Sequence, residues 1–397
     1  MDFRDVRIVA AATGGYLTAT LSSYLQPLVL SSLRDTFGLS PSLVGTLVAI
    51  DAGMCAMTAM LLGFLARRSQ ISYRTFGVAG VLMAVIANFL CSMTTSLPLI
   101  MCIRVIAGVG EGLAMGAGMG ALGALPKPDR MIAAVLAMGS VVASIAIVLA
   151  PVLNVVGNAF RMYAYQGAVT CLIGICMLGL PKITVEPKRK ADATPQARAN
   201  ARGLKLFVAL FGSVLVGVSA SMVWGFATVV GSRTGLAVAA TATVISIATN
   251  FTILGSGLAA ILGTRFGRTW PIGIAVVVEC AALAFLFMTA RPEAFAIGLC
   301  AILLVGMFIR PFIMGIGSLI DPSGGLTGSM SGAFRLGSFI GPMAGGVAIE
   351  FFNTPLVVVV LQFLLMPTIA VLFLSLYRSS EFTGSVQGAA SREVTQT

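Results

Sequence analysis

Histidine is absent from this sequence. That removes the commonest metal ligand and the commonest general base, so any step that handles a proton must use a carboxylate. Charge is scarce as well: 10% of the residues are Asp, Glu, Lys or Arg, against about a quarter in an average soluble domain. None of the five lysines completes Gly-x-x-x-x-Gly-Lys-Ser/Thr, so the chain has no such phosphate cradle for ATP. Gly-x-Ser-x-Gly is missing too, and without histidine a conventional hydrolase triad cannot be assembled. No nucleophile, base and orienting group can be named together, so the chain is not expected to be an enzyme. The seven cysteines, at 55, 91, 102, 171, 176, 280 and 300, lie in apolar segments without metal-ligand spacing. They read as reduced packing residues, and no cofactor or metal is expected.

What fills the chain instead is apolar: 58% hydrophobic residues and a mean hydropathy of +1.00. The charge-free run from Ile8 to Leu33 alone exceeds the 20 or so residues that cross a bilayer. Breaks at charged or Gly/Pro clusters predict twelve spans near 8–31, 43–65, 75–95, 98–124, 131–156, 162–180, 204–230, 237–263, 270–290, 295–319, 326–349 and 354–377. The expected organisation is a six-span half over 1–181, a basic linker over 182–203 that includes Lys188, Arg189 and Lys190, a second six-span half over 204–378, and a disordered polar tail over 379–397. The net charge of +11 invites a nucleic-acid reading, but its placement argues otherwise. With the amino terminus in the cytoplasm, eighteen Lys and Arg fall on that side and only Arg34, Arg161, Arg233 and Arg291 on the other. This positive-inside pattern puts both termini in the cytoplasm, and no nucleic-acid partner is expected.

Residues 104–120, RVIAGVGEGLAMGAGMG, are the most informative stretch. At 3.6 residues per turn Arg104, Gly108, Gly112, Gly116 and Gly120 form one slowly winding stripe. Removing side chains at every fourth position lets a neighbouring backbone approach closely, as helices in lipid require. Glu111, seven residues after Arg104, lies within roughly 20° of it around the axis and about 10 Å along it. Ionised groups on such a face must look onto protein or a watery cavity.

The two halves carry a faint repeat: Leu65-Ala66-Arg67-Arg68 after span two corresponds to Leu262-Gly263-Thr264-Arg265 after span eight, and Pro151 in span five to Pro342 in span eleven. With these motifs the chain resembles the major facilitator superfamily over essentially its whole length. Of that family's gate loop, Gly63, Leu65, Ala66 and Arg68 match, while Arg67 replaces the acid and Gln70 and Ile71 replace the following Gly and Arg. The second copy keeps Arg265, Gly267 and Arg268 but has Thr264 at the acid position. The family's cytoplasmic latch is therefore expected to be degraded. The span-four pattern is intact as Arg104, Gly108, Gly110 and Gly112. A Gly-x-x-x-Gly-Pro-x-x-Gly-Gly element, linked in the family to antiporters when it lies in span five, sits instead in span eleven as Gly337, Gly341, Pro342, Gly345 and Gly346. The resemblance implies an all-α membrane protein of twelve transmembrane helices in two pseudo-symmetric six-helix bundles, with a small-molecule site between them.

Intramembrane charges supply the candidate site. Asp51 and Arg104 have similar depths on spans expected to be neighbours, and form either a packing ion pair or a proton-sensitive latch. Glu111 is the expected proton carrier, opposed by a structural role as partner of Arg104. Arg310, placed by the repeat near the depth of Glu111 and followed by Pro311, is the expected anion ligand, since a guanidinium takes a carboxylate or sulfonate in bidentate fashion. Arg335 is either a second anion contact or the partner of Glu279. Tyr16, Tyr24 and Gln26 of the first span and Trp224 of the seventh are expected to line an aromatic-friendly pocket, with Thr20, Ser219 and Ser221 beside them. The expected activity is proton-coupled uptake of a small carboxylate-type anion by alternating access, in an inner or plasma membrane, by a monomer driven by the proton gradient. Proton-driven efflux of amphipathic or aromatic compounds is the alternative within the class, and a transporter-like sensor the alternative outside it.

Overall fold

A computed structural model of the chain describes residues 3–38, 41–68, 72–125, 128–181, 195–236 and 238–394. Fourteen α-helices occupy them, and there is no β-strand among the described residues. They are α1 (Phe3–Tyr24), α2 (Gln26–Phe37), α3 (Pro41–Arg68), α4 (Tyr73–Met93), α5 (Leu97–Gly123), α6 (Pro128–Val152), α7 (Ala159–Gly174, continued by a 3-10 turn over Ile175–Gly179), α8 (Pro195–Gly225), α9 (Ala227–Ser232), α10 (Val238–Leu262), α11 (Thr269–Met288), α12 (Pro292–Ile320), α13 (Gly325–Phe352) and α14 (Val357–Val394). Among the described residues, nine helices are long and apolar enough to cross a membrane, and the chain is a multi-pass membrane protein. Neither α1 nor α13 is among the nine. Both are rich in hydroxyl-bearing residues and glycine, and both face the central cavity described below.

Expected and observed boundaries differ at four places. The first span is broken at Leu25, because Pro27 has no N–H to donate to the carbonyl of Ser23. Leu25 N–H still reaches Leu21 (2.9 Å), and the Leu28 and Val29 N–H groups restart the ladder on the Leu25 carbonyl (2.9 and 3.0 Å). The seventh span breaks at Phe226, where the bond to Met222 stretches to 3.4 Å. These two breaks hold corresponding places in the two halves. Helix α14 runs on from the apolar Val357–Ser379 segment through Val394, and no proline or glycine pair interrupts Ser379–Val394. The linker run Lys188-Arg189-Lys190 lies outside the described residues, and helix begins at Pro195, nine positions before the expected span.

Glycine sets the spacing of both halves. Gly108 and Gly112 of α5 lie against the Asp51 and Cys55 carbonyls of α3, and Gly110 lies against the Gly80 backbone of α4, with no room for a Cβ. In the second half Gly217 of α8 faces Phe334, while Gly337 and Gly341 of α13 face Val214 and Val218. The span-eleven glycine element thus seats α13 on α8. The buried apolar core splits into clusters that are almost entirely from residues 8–180 or from residues 209–376.

At one end of the bundle the two groups of helices lock together. Asp129 at the start of α6 accepts from Arg268 Nε (2.8 Å) and Nη2 (2.6 Å), and Arg268 lies over Tyr377. Tyr73 donates to the Ser323 carbonyl (2.9 Å), and Ser329 to that of Met60 (3.1 Å). Gly324 adopts φ +78° directly against the Gly120 carbonyl, a position no side chain tolerates. The carboxylate missing from both gate loops is therefore supplied from elsewhere, by Asp129. Asp129→Asn should loosen this end: spin labels at positions 75 and 265, in a background without exposed cysteines, should show a longer and broader distance distribution than the parent.

Candidate functional site

The site begins with Arg104. Its guanidinium Nη2 donates to Asp51 Oδ2 of α3, its Nη1 donates to Asn88 Oδ1 of α4 (2.9 Å), and Tyr163 of α7 offers its ring face at 5.5 Å. Glu111 Oε1 lies 3.6 Å from the same Nη2. Asp51, Arg104 and Glu111 are 3%, 4% and 1% exposed, so water does little to screen them. One guanidinium therefore stands between two buried carboxylates. The expected depth match of Asp51 and Arg104 holds, because Gly108, one turn on from Arg104, lets α5 close on α3 at the level of Asp51. Asn88 was not foreseen; a lone amide inside span three was the available signal.

Glu111 does not stand across the cavity from Arg310. It faces α1, where Ser22 Oγ donates to its Oε1 (3.0 Å), while Oε2 is buried with no partner. Met115, one turn on, takes the cavity-lining position on α5.

That cavity, of about 60 Å³, is lined by Tyr16 and Thr20 of α1, Met115 and Met119 of α5, Leu136 of α6, Ser213 and Val216 of α8, Arg310, Ile313 and Met314 of α12, and Met330, Ser331, Phe334, Arg335 and Ser338 of α13. Its walls come from both halves. Arg310 lies flat over the Phe334 ring, 3.6 Å from the centroid, and its Nη1 points at the Met307 thioether (3.2 Å), a weak acceptor. No carboxylate among the described residues pairs with it. Arg335 crosses to α1, where Nη1 donates to Ser23 Oγ and Nη2 to the Ala19 carbonyl (2.7 Å); its Nε is buried without a partner.

Other expected residues fall elsewhere. Tyr24 is not in the cavity wall, though its hydroxyl stands near Tyr16, Ser140 and Arg310. Trp224 is 42% exposed and lies roughly 12 Å along the helix axis beyond Val216, so depth removes it from the wall. The side chain of Gln26 lies outside the described residues. Ser221 bonds back to Gly217 (2.8 Å) and Ser219 to the Met366 sulfur (3.5 Å), both within the second half. Glu279 is not the partner of Arg335: it accepts from Gln362 Nε2 of α14 (2.7 Å), between α11 and α14.

Replacing Arg104 by Gln should leave two buried carboxylates with no cation between them and destabilise the fold by about 3–5 kcal/mol. Adding Asp51→Asn to that variant should recover part of the loss, because it removes one of the stranded charges. Denaturant unfolding of the detergent-purified single and double variants checks this.

Comparisons with known proteins bear on the fold. Among solved structures, the chain is similar to FucP, described as a major facilitator superfamily transporter in the outward conformation, with a TM-score of 0.77 and 12% identity, covering 94% of this chain and 98% of that one. It is similar to a single-residue variant of the E. coli fucose:proton symporter FucP (0.76, 12%, 94% and 99%) and to the human organic anion transporter MFSD10 (0.70, 13%, 95% and 99%). No protein of curated function matched the chain. The family model described as Major Facilitator Superfamily matches residues 12–321, and the chain, with a cavity walled by both of its halves, belongs to that superfamily.

Proposed function

We propose that this protein is a secondary active transporter that couples proton entry to uptake of a small organic anion. The observation that carries the reading is a cavity with two arginines and no carboxylate in its wall. Guanidinium groups lining a narrow cavity, with open donors and no carboxylate bonded to them, are best completed by an anion. Eight apolar or thioether side chains among the fifteen lining residues suit an apolar body behind the anionic group. A polyhydroxylated body has no amide or carboxylate in this wall to recognise it. The organic anion transporter among the structural neighbours is consistent with this substrate class.

Glu111 is the proton site in this reading. Its Oε2 has no partner, so a proton can be accepted there without breaking a hydrogen bond. Protonation also leaves Arg104 with one full counter-charge, Asp51, instead of two. The proton symporter among the neighbours is in keeping with such coupling. With both termini cytoplasmic, as the distribution of Lys and Arg argues, the locked end built by Asp129 and Arg268 is the cytoplasmic one, and this state faces outward. Transport then consists of breaking that lock while halves 1–181 and 204–378, joined by 182–203, rock around the arginines. A 60 Å³ cavity must widen to admit an organic anion, and rocking supplies the room. A monomer in an inner or plasma membrane suffices. Efflux loses its motif support, because the span-eleven glycines are used in packing α13 on α8.

Purified protein in liposomes should accumulate labelled benzenesulfonate or phenylacetate when the outside is acidic. Arg310→Gln should lower apparent affinity at least tenfold, and Glu111→Gln should abolish accumulation above equilibrium. Binding of neither anion by the parent protein, or full affinity in Arg310→Gln, overturns the anion reading. Full gradient-driven accumulation by Glu111→Gln overturns the proton assignment.

A further inference from the structure

Of the site's open hydrogen-bonding positions, Asp51 Oδ1, Glu111 Oε2 and Arg335 Nε, the last two belong to different halves and are joined through two consecutive residues of α1. Ser22 Oγ donates to Glu111, and Ser23 Oγ accepts from Arg335, which also holds the Ala19 carbonyl one turn earlier. Consecutive residues on a helix point about 100° apart, so this turn presents one hydroxyl to α5 and the next to α13. It is also the weakest turn of the span. Pro27 leaves the Ser23 carbonyl without its helical donor, and regular helix stops at Tyr24. A turn lacking that bond can rotate or unwind at lower cost than an intact one.

We propose that Ser22 and Ser23 are the positioning residues that transmit occupancy of the arginine site to Glu111. This rests on the anion and proton assignments made above. Arg335 is held on α1 by Ser23 and Ala19. An entering anion offers Arg335 a charged acceptor in place of two neutral ones, and Arg335 turns to it. The last turn of α1, released from α13, shifts and draws the Ser22 hydroxyl away from Glu111. With that donor gone neither Glu111 oxygen is held by a hydroxyl, and a proton can be accepted on either, so anion and proton bind together. The groups facing Glu111 are Arg104, Ser22 and the buried Cys55 thiol of α3, which also meets the Arg335 side chain, with Asp51 beyond Arg104.

The proposal fixes the sign of two effects. Ser23 competes with substrate for Arg335, so Ser23→Ala should tighten anion binding, by roughly tenfold for one hydrogen bond to a charged donor. Loss of a merely structural hydroxyl would weaken binding or leave it alone. Ser22→Ala should flatten the dependence of anion affinity on pH, and Ser22→Thr, which keeps the hydroxyl, should restore it.

The test is equilibrium binding of benzenesulfonate to the full-length, detergent-purified protein between pH 5 and 8, a range in which the probe keeps its charge. Wild type should bind more tightly as pH falls. Monodispersity and thermal unfolding of Ser22→Thr and Ser23→Thr establish that each site tolerates substitution. Unchanged or weaker binding by Ser23→Ala, or a wild-type pH slope in Ser22→Ala, overturns the relay. Failure of wild type to bind benzenesulfonate, or wild-type affinity in Arg310→Gln, counts against the anion site itself. Loss of binding in Arg310→Gln alongside silent serine variants refutes the relay alone.

Discussion

One guanidinium between two carboxylates, deep in an apolar bundle, governs the first half of this protein. Arg104 bonds to Asp51 and Asn88, stacks on Tyr163, and reaches Glu111 only at 3.6 Å. Away from water each of these charges is expensive alone. Their positions are therefore mutually determined, and helices α3, α4, α5 and α7 are tied together at one depth. The same arrangement leaves one carboxylate less well served than the other. Each carboxylate keeps one oxygen open, but only Asp51 bonds Arg104 directly, and Glu111 stands at the edge of that pair. Stability and the proposed proton handling are in that sense placed on a single cluster.

Glycine makes such a cluster possible. Lipid gives little hydrophobic gain for bringing helices together, so backbones must approach until dispersion and polar contacts suffice. Gly108 and Gly112 do this for α5 on α3, and Gly217, Gly337 and Gly341 for α8 on α13. Two tightly packed halves then meet along a softer seam. At one end that seam is locked by Asp129 with Arg268 and by backbone contacts around Gly324. At its middle it holds Arg310 and Arg335. Rigid halves with polar, breakable contacts between them are what a rocking motion needs.

Much of this was legible in the sequence. Counting residues from span ends gave Asp51 and Arg104 a common depth, and a four-residue glycine period announced close packing. An arginine beside a proline within span ten marked the cavity. What stayed hidden depended on rotation about helix axes and on contacts between distant segments. The motif puts Glu111 on the same face as Arg104 but cannot say whether that face looks onto the cavity or onto α1, and the cavity residue is Met115. The missing gate acid suggested a degraded lock, whereas Asp129 restores it from 139 residues before Arg268. Trp224 shares a helix with the wall but stands too far along it. Pro27 carried the break in the first span in plain view, because a proline withholds one hydrogen bond wherever it stands. The partner of Glu279 was an amide in the last span, a residue type that leaves no charge signature.

The central claim is that anion and proton travel inward together through Glu111. Luminal pH, followed by a trapped pH-sensitive dye in proteoliposomes clamped at zero membrane potential, tests it most directly. On external addition of benzenesulfonate the account predicts that the lumen acidifies at the rate the anion enters, and that Glu111→Gln vesicles show no acidification. Anion entry with a flat luminal pH in the wild-type protein would contradict it.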